Sequence, residues 1–276
     1  TSYSNEGGWV DSDKVRFRFG FPEKIGGWVK YSTNTYLGSA RSLFSWVALS
    51  GTKFIGMGTN IKYYVVQGAD FNDITPLRKT TTGTATFSVA NGAAVATVTD
   101  SNNGSNVGDF VTFSSAASLG GNITAAVLNQ EFEIQTVPTA NTYTINLSAT
   151  ANGSDSGNGG GSTVAKYQID CGLDTQVGGT GWGAGTWQRG TWGSAADVTT
   201  ETELALWNED NFGEDLLLNL RDSSVYYWDK SGGVAARAVN ITSLDGSSDA
   251  PTISKQVMVS DNSRHVICFG ANTIGT

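Results

Sequence analysis

A stretch of 86 residues without lysine, arginine or tryptophan divides this chain into two kinds of sequence. Residues 80–165 lack all three, whereas the flanking segments hold all 17 basic residues and all 8 tryptophans. The stretch opens in a threonine-rich run and closes in a Gly/Ser/Asn tract at residues 152–162, which is typical of a flexible connection. These limits predict an inserted domain at residues 80–165 between two parts of one body, residues 1–79 and 166–276.

The inserted stretch alternates apolar and polar residues with period two, as half-buried β-strands do. The dipeptide Asn91-Gly92, between the first two predicted strands, is a strong signal for a tight hairpin turn. A domain of this length with five or six strands fits a small β-sandwich or barrel. The predicted strands are residues 84–90, 93–100, 109–114, 131–137 and 142–148.

The flanking segments contain an internal repeat. Strand and turn patterns in residues 46–75 recur in residues 206–242, with three anchors at offsets of 161 to 167 residues. A third unit starts at residues 256–269 and stops half finished. Repeated units of about 40–50 residues with three or four short strands indicate β-propeller blades. The paired anchors are Trp46 with Trp207, Tyr63 with Tyr226, and Asp73 with Asn240.

The predicted fold class is therefore all-β, with a partial or incomplete β-propeller body and an inserted small β-sandwich or barrel domain. Natural propellers have about 4–8 blades. Three units cannot close such a ring, so we expect further sequence or partner chains to complete it. Under this interpretation residues 166–276 are a continuation of the body that is truncated at the C-terminal end.

The charge balance excludes a surface built to grip phosphate backbones, because nucleic-acid binders need clustered Lys and Arg. The formal net charge is −8 and the sequence pI is about 4.6. Such a balance fits a channel lining that repels DNA, and it fits ordinary solubility equally well. No apolar run approaches 18 residues, so no membrane segment is predicted. Two distant cysteines and one histidine predict neither a metal site nor a disulfide framework, and no cofactor is expected.

Acidic clusters and a single histidine are the candidate catalytic residues. Paired carboxylates hydrolyse glycosides when they face one another across a cleft, but turn residues between strands are the commoner explanation. The single histidine, His265, lies in a predicted strand without a nucleophile motif beside it. The chain is therefore predicted not to be an enzyme. The clusters are Asp11 with Asp13, Glu209 and Asp210 with Glu214 and Asp215, and Asp222 with Asp229.

Aromatic residues are the candidate interface. A glycine-rich segment at residues 178–193 spaces three tryptophans five residues apart. Exposed tryptophans on such a loop stack on a partner protein or on sugar, and the same rings could instead pin the loop by packing between blades. The predicted interface residues are Trp182, Trp187, Trp192, Tyr63 and Tyr227.

Four segments together resemble a family of podovirus-type virion structural proteins, the tail tubular or nozzle proteins with a β-propeller body. The resemblance covers most of residues 7–79 and 166–276, and the insertion resembles the small β-modules that phage tail proteins carry. The segments are GGWVDSDKVRFRFGFPEKIGGW (residues 7–28), the Gly/Trp segment at residues 178–193, NFGEDLLLNLRDSSVYYWD (211–229) and VSDNSRHVICFG (259–270).

The resemblance implies assembly rather than chemistry. A protein of this kind forms a homo-oligomeric ring in the virion tail, below the portal and adaptor proteins, and docks tail fibre proteins. Genomic DNA passes through its channel during ejection without sequence-specific binding. Two other hypotheses remain: a receptor-binding tail fibre or baseplate module that contacts host surface glycan, and a propeller glycosidase that acts on surface polysaccharide.

Overall fold

The computed structural model describes residues 13–27, 29–172, 206–260 and 262–272. The fold is all-β, with 19 strands and one short α-helix (α1, Ala125–Leu128) among these residues. The chain forms two units, Thr1–Thr35 and Tyr36–Thr276. Within the first unit, β1 (Val15–Arg18) and β2 (Phe21–Lys24) form a hairpin with an ion pair of 3.0 Å between Arg16 and Glu23.

The second unit contains two four-stranded sheets and a two-stranded one, in which sequential strands pair as antiparallel neighbours. The first sheet consists of β3 (Ala40–Val47), β4 (Lys53–Thr59), β5 (Tyr63–Gln67) and β6 (Asp70–Asp73). The second sheet consists of β14 (Trp207–Phe212), β15 (Asp215–Leu220), β16 (Val225–Trp228) and β17 (Val239–Asn240). The terminal hairpin consists of β18 (Gln256–Val259) and β19 (Val266–Phe269).

A seven-stranded antiparallel sheet lies between the first and second sheets in the sequence, in the spatial order β7-β13-β10-β11-β12-β9-β8. Its strands follow the alternation of apolar and polar residues, so one face carries the core. They are β7 (Leu77–Thr82), β8 (Thr86–Val89), β9 (Val95–Thr99), β10 (Phe110–Ser114), β11 (Glu131–Thr139), β12 (Thr142–Asn146) and β13 (Val164–Gln168).

The five strands predicted from periodicity in this region are all confirmed as β8 to β12. Asn91 and Gly92 lie at the centre of the turn between β8 and β9, which closes with a bond of 3.0 Å from the Ala93 amide to the Ala90 carbonyl. Gly92 has φ of +79°, the conformation that glycine adopts without strain. The strands stop short of this turn, so five residues separate them rather than two.

The seven-stranded sheet curls on itself. Its two edge strands, β7 and β8, are joined by only three residues, 83–85, so the edges lie close together in space. The rings of Phe87 on β8 and Phe113 on β10 meet edge to face with centroids 4.9 Å apart, although three strands lie between them in the sheet order. One cluster of buried side chains, from Ala85 to Tyr167, fills the concave side.

The first and second sheets stack face to face through an aromatic core. Trp46 stacks on Phe54 at 5.3 Å, and both rings meet Trp228 of the second sheet edge to face. The indole of Trp207 donates to the Thr59 carbonyl at 2.7 Å, so this buried N–H is satisfied across the interface. The buried members are Trp46, Phe54, Tyr63, Val65 and Ile74 from the first sheet and its end, and Trp207, Leu216, Leu218, Leu220, Tyr226 and Trp228 from the second.

The other face of the second sheet packs against the terminal hairpin. Leu217 and Val225 form a buried cluster with Val257 and Val259 of β18. The three stacked elements therefore follow one another in chain order, each covering the face of its predecessor.

The first strands of these three elements lie side by side. The hydroxyl of Ser42 on β3 donates to Glu209 on β14. Two further β14 side chains, Asn208 and Asp210, accept the backbone amides of Val257 and Val259 on β18, each at 2.7 Å. Polar side chains thus satisfy the amides of β18 that would otherwise form an open edge.

Only some of the paired repeat anchors occupy equivalent positions in the first and second sheets. Tyr63 and Tyr226 both point into the core between the first and second sheets. Trp46 pairs with Phe54 beside the β3–β4 turn, whereas Trp207 pairs with Leu220 at the opposite end of its hairpin. The two tryptophans reach the same core from opposite ends of their strands. Pairing Trp46 with Trp207 as equivalent repeat positions was therefore wrong, because the two residues do not occupy the same position in their sheets.

Candidate functional site

The predicted interface residues fall in different environments. Trp182, Trp187 and Trp192 lie outside the described residues. Tyr63 is fully buried and meets Trp207 edge to face at 4.9 Å, so its side chain lies between two sheets of this chain and not on the surface. Tyr227 is half-buried, and its hydroxyl donates to the Asp215 carboxylate at 2.5 Å.

The end-loop pocket is a cavity of about 490 Å³ where loops from the first sheet, the second sheet and the terminal hairpin converge. Each sheet contributes the turn after its first strand, and the second sheet adds the turn after its third. Antiparallel meanders place these turns at one end, because consecutive strands reverse direction. The lining residues are Val47, Leu49, Phe212, Gly213, Glu214, Asp215, Asp229, Lys230, Ser231 and Arg264.

The carboxylates of the end-loop pocket bind donors of this chain. Glu214 accepts from the Lys230 ammonium and from the Leu49 amide, each at 2.7 Å. The bond from Lys230 and the bond from Leu49 hold the pKa of Glu214 below its ordinary range. The hydroxyl and amide of Ser231 likewise lower the pKa of Asp229. Glu214 and Asp229 are therefore hydrogen-bond acceptors in this pocket.

Arg264 is the free cation of the end-loop pocket. Its backbone is left-handed, with φ of +52°, an uncommon conformation for arginine. The guanidinium lies beside Gly213, 3.8 Å from the position a Cβ would occupy there. Within the described part of the chain, this guanidinium has no hydrogen-bonding partner. The pocket therefore offers one unengaged planar donor group next to ionised acceptors and the apolar side chains of Val47 and Leu49.

A second cavity of about 590 Å³, the junction cavity, lies between the first sheet and the seven-stranded sheet. Its walls are apolar at Ile61 and Phe110 and acidic at Asp109 and Asp170. Burial raises the pKa of Asp109 despite the amide of Asn106 and the guanidinium of Arg78, which lies 3.3 Å from it. Asp109 already accepts bonds from both groups, so its carboxyl has a structural role at the wall.

The sequence did not reveal a cluster of charged side chains around a buried lysine. Lys62 is only 2% exposed, and its ammonium lies 2.7 Å from both Asp73 and Glu131 and 3.3 Å from Gln168. Arg237 reaches the same Asp73 at 3.1 Å. We call these five side chains the Lys62 cluster. The one signal for it in the sequence is a lysine directly before the apolar run of residues 63–66.

Glu209 is a half-buried acid that the sequence pattern assigned to a turn. It lies in the middle of β14, where it accepts the hydroxyl of Ser42. Burial raises the pKa of Glu209 above its ordinary value, and the bond from Ser42 opposes that shift. The nearby Tyr63 has its pKa raised well above the usual value by burial and by the charge of Glu209.

The remaining reactive side chains are dispersed. No group of three or more His, Cys, Asp or Glu side chains among the described residues could hold a metal ion. Cys171 is buried and Cys268 is half-buried, and burial raises the pKa of both thiols. His265 is exposed in the loop before β19. None of the helical segments that the structure describes has the length and apolar character needed to cross a bilayer.

Comparison with known proteins does not assign the chain to a family. No family model and no curated protein matches the chain. Among solved structures, the phage phi92 endosialidase matches over 87% of this chain with 12% identity and a TM-score of 0.28. The match spans 35% of the endosialidase chain, about a third of its length. A TM-score this low does not demonstrate a common fold, so neither fold nor function is transferred from it.

Proposed function

We propose that the chain is a structural component of a bacteriophage tail, of the nozzle or tail-hub type, and that it has no catalytic role. The observation that carries this proposal is the serial stack of the first sheet, the second sheet and the terminal hairpin. A stack held by large buried aromatic and aliphatic faces is a rigid building element, and it offers the same kind of face for further assembly.

The arrangement of first strands supports a propeller-like body. In a propeller the blades stack radially, and each blade places one edge strand at the common axis. Here β3 reaches β14 through Ser42, and β14 reaches β18 through Asn208 and Asp210. The three elements are then successive blades around an axis that runs beside their first strands.

Two of the four segments that resemble tail proteins lie in this stack, whereas residues 7–28 belong to the first unit and residues 178–193 lie outside the described residues. Residues 211–229 form the end of β14, all of β15 and β16, and the turns between them. Residues 259–270 form the last residue of β18, its turn and β19. These segments supply the core face of the second sheet and the hairpin that covers its other face, as expected if the motif encodes assembly rather than a reaction.

The charge balance agrees with a channel role. A net charge of −8 disfavours adhesion to DNA, so genomic DNA can slide past the ring without being held. In this proposal the protein resides in the virion tail, forms a homo-oligomeric ring and docks portal or adaptor proteins on one side and fibre proteins on the other.

Cryo-electron microscopy of the virion that carries this chain tests the proposal. We expect the stack to fit density in a symmetric ring around the DNA channel. A distal, peripheral position at the tip of a fibre would contradict the nozzle or hub role and would favour the second candidate below.

The second candidate is a receptor-binding module that contacts host glycan, and the end-loop pocket favours it. A free guanidinium beside ionised carboxylates offers both donors and acceptors to sugar hydroxyls. The test is binding of purified chain to host capsule or lipopolysaccharide, with Arg264→Ala as the variant and Lys166→Ala as an exposed-cation control. Binding that only Arg264→Ala abolishes supports this candidate, and release of reducing sugar would overturn the non-catalytic assignment.

A further inference from the structure

The Lys62 cluster places an amine next to an amide in the interior of the chain. The Nζ atom of Lys62 lies 3.3 Å from Oε1 of Gln168, and the two residues are only 2% and 1% exposed. Lys62 lies in the turn between β4 and β5 of the first sheet, whereas Gln168 ends β13 of the seven-stranded sheet. A lysine amine is a nucleophile in covalent catalysis, and the Cδ atom of a glutamine amide is a carbon that an amine can attack.

Local structure holds both side chains in these positions. The Lys62 amide donates to the Thr59 hydroxyl at 2.8 Å, and the Lys62 carbonyl accepts the Thr59 amide at 2.8 Å. The register of β13 shifts between Tyr167 and Gln168, as at a β-bulge, so that both of these consecutive side chains are buried. Tyr167 enters the core of the seven-stranded sheet, while Gln168 reaches Lys62 of the first sheet. Bulges re-aim side chains in this way, often beside reactive sites.

Glu131 contacts the amine and also the amide nitrogen. Its Oε1 atom lies 2.7 Å from Nζ of Lys62 and accepts a hydrogen bond from Nε2 of Gln168 at 2.5 Å. These are the two nitrogen atoms that exchange when an amine displaces ammonia from an amide. A group that carries a proton must lie within hydrogen-bond reach of the atom that loses it and of the atom that gains it. Glu131 satisfies both requirements.

We propose that the Lys62 cluster forms an amide bond between the side chains of Lys62 and Gln168, with Glu131 as the proton carrier. Glu131 accepts a proton from the Lys62 ammonium, and the electron pair that this frees on Nζ attacks Cδ of Gln168. The bond between Cδ and Nε2 then breaks, and Nε2 takes the proton from Glu131 and leaves as ammonia. The second proton that Nζ releases leaves with the ammonia as ammonium, so Glu131 is again a carboxylate.

Asp73 is the competing acyl group, because its Oδ2 atom lies 2.7 Å from Nζ of Lys62. The Asp73 carboxylate also lies 3.1 Å from Nη2 of Arg237 and accepts the Thr75 amide at 2.9 Å. Such donors favour the ionised carboxylate, and an amine does not displace oxygen from a carboxylate anion. The amide of Gln168 is neutral. Asp73 therefore positions the Lys62 amine, and Gln168 is the group that it attacks.

The new bond closes the chain into a loop around the inserted domain. Residues 62–168 include β5, β6 and all seven strands from β7 to β13. The bond fixes the base of the seven-stranded sheet to the first sheet, and groups held in contact by a fold react as an intramolecular pair. The structure describes the chain before this reaction, with the two side chains separate. The reaction is one self-modification without an external substrate, and it does not depend on the proposed role in a tail.

Mass spectrometry of the purified chain tests the proposal. After several days at neutral pH, the denatured chain is expected to be lighter than its sequence by one molecule of ammonia. Trypsin should then release a branched peptide in which residues 54–78, uncut after Lys62, are joined to residues 167–189. Asn-Gly dipeptides also lose ammonia, but the cyclic imide that they form leaves the tryptic peptides unbranched.

Two variants separate the nucleophile from the proton carrier. Lys62→Arg keeps a positive charge but removes the amine, and Glu131→Gln keeps the shape of the side chain but cannot carry the proton. Neither variant should yield the branched peptide. Glu133→Gln, at an exposed position on the same strand, is the matched control and should yield as much of it as wild type. Circular dichroism checks that each variant folds, and the peptide map of wild type decides the proposal even if one variant does not.

Three outcomes would overturn the proposal. The first is a wild-type chain that gives no branched peptide after incubation. The second is a bond from Lys62 to Asp73 or Glu131 with loss of water, which would make a carboxyl the acyl group. The third is a branched peptide that forms as fast in folded Glu131→Gln as in wild type, which would show that Glu131 does not carry the proton.

Discussion

The ammonium of Lys62 lies 2.7 Å from the carboxylate of Glu131, and this ion pair between a buried lysine and a partly exposed glutamate joins the first sheet to the seven-stranded sheet. Gln168 on β13 adds bonds to both groups, and Phe110 lies under the ammonium at 4.8 Å from its ring centroid. A buried lysine is stable only when such partners compensate for lost hydration. The Lys62 cluster thus fixes the contact between the two sheets at one point.

Lys62→Met tests this contact. The substitution keeps the length of the side chain but leaves Glu131 and Asp73 without the ammonium between them. We expect the free energy of unfolding to fall by about 2 kcal/mol. This is less than the cost of breaking a fully buried pair, because Asp73 and Glu131 are 22% and 32% exposed and Asp73 keeps its contact with Arg237. Chemical denaturation measures it. Lys166→Met, at an exposed lysine on β13, is the control and should change stability by less than about 0.5 kcal/mol. Equal midpoints for the two variants would refute the role of the cluster.

Asp73 makes part of this stability dependent on pH. Burial alone would raise the pKa of Asp73, but Lys62 and Arg237 lower it below the ordinary value of 3.8. Because the pKa of Asp73 is lower in the folded state, its ionised form stabilises the fold at pH values above the unfolded-state pKa. This stabilisation is lost as the pH falls through the folded-state pKa. Asp73→Asn should therefore cost about 2 kcal/mol at pH 7, with a smaller difference from wild type below pH 3.8. A difference that is constant between pH 7 and pH 3 would contradict this account.

The alternation of apolar and polar residues predicted the strands well, because successive side chains along a strand point to opposite faces and only one face is buried. The strands β8 to β12 followed directly from it, and the repeat predicted the order of strands in the first and second sheets. The sequence could not reveal the Lys62 cluster, because Lys62 and Glu131 are distant in sequence and alternation marks each as a solvent-facing charge. Tyr63 was predicted at an interface for its aromatic ring, yet only tertiary packing determines that this interface lies between two sheets of the same chain.

We expect Glu209 to make the stability of the fold depend on pH in the opposite direction. Burial raises the pKa of Glu209 above its ordinary value of 4.5, so the ionised form is disfavoured in the folded state. The fold therefore has its full stability at pH values below the pKa of Glu209 in the unfolded state. It loses stability as the pH rises through the pKa of Glu209 in the folded state. Glu209→Gln removes the charge and keeps an acceptor for Ser42. We expect it to raise the free energy of unfolding by on the order of 1 kcal/mol at pH 7, with no gain at pH 4. Glu133→Gln, at an exposed position on β11, is the control, and a loss of stability at pH 7 for Glu209→Gln would contradict the prediction.

Gly56 tests the packing of the first sheet on the second. A Cβ at this position would clash with the hydroxyl of Tyr63 and contact Leu216 at 3.5 Å, inside the core that both sheets share. Gly56→Ala should therefore cost about 2–3 kcal/mol, since a packed core has no room for an added methyl group.

The clash is with one atom, which makes a rescue possible. Tyr63→Phe removes that hydroxyl, so Gly56→Ala/Tyr63→Phe should recover at least half of the stability that Gly56→Ala loses, in a double-mutant cycle read by chemical denaturation. Gly153→Ala, where an added Cβ meets nothing within 4 Å, controls for the change in backbone freedom. Strictly additive losses in the double variant would show that the tyrosine hydroxyl does not limit how closely the two sheets approach.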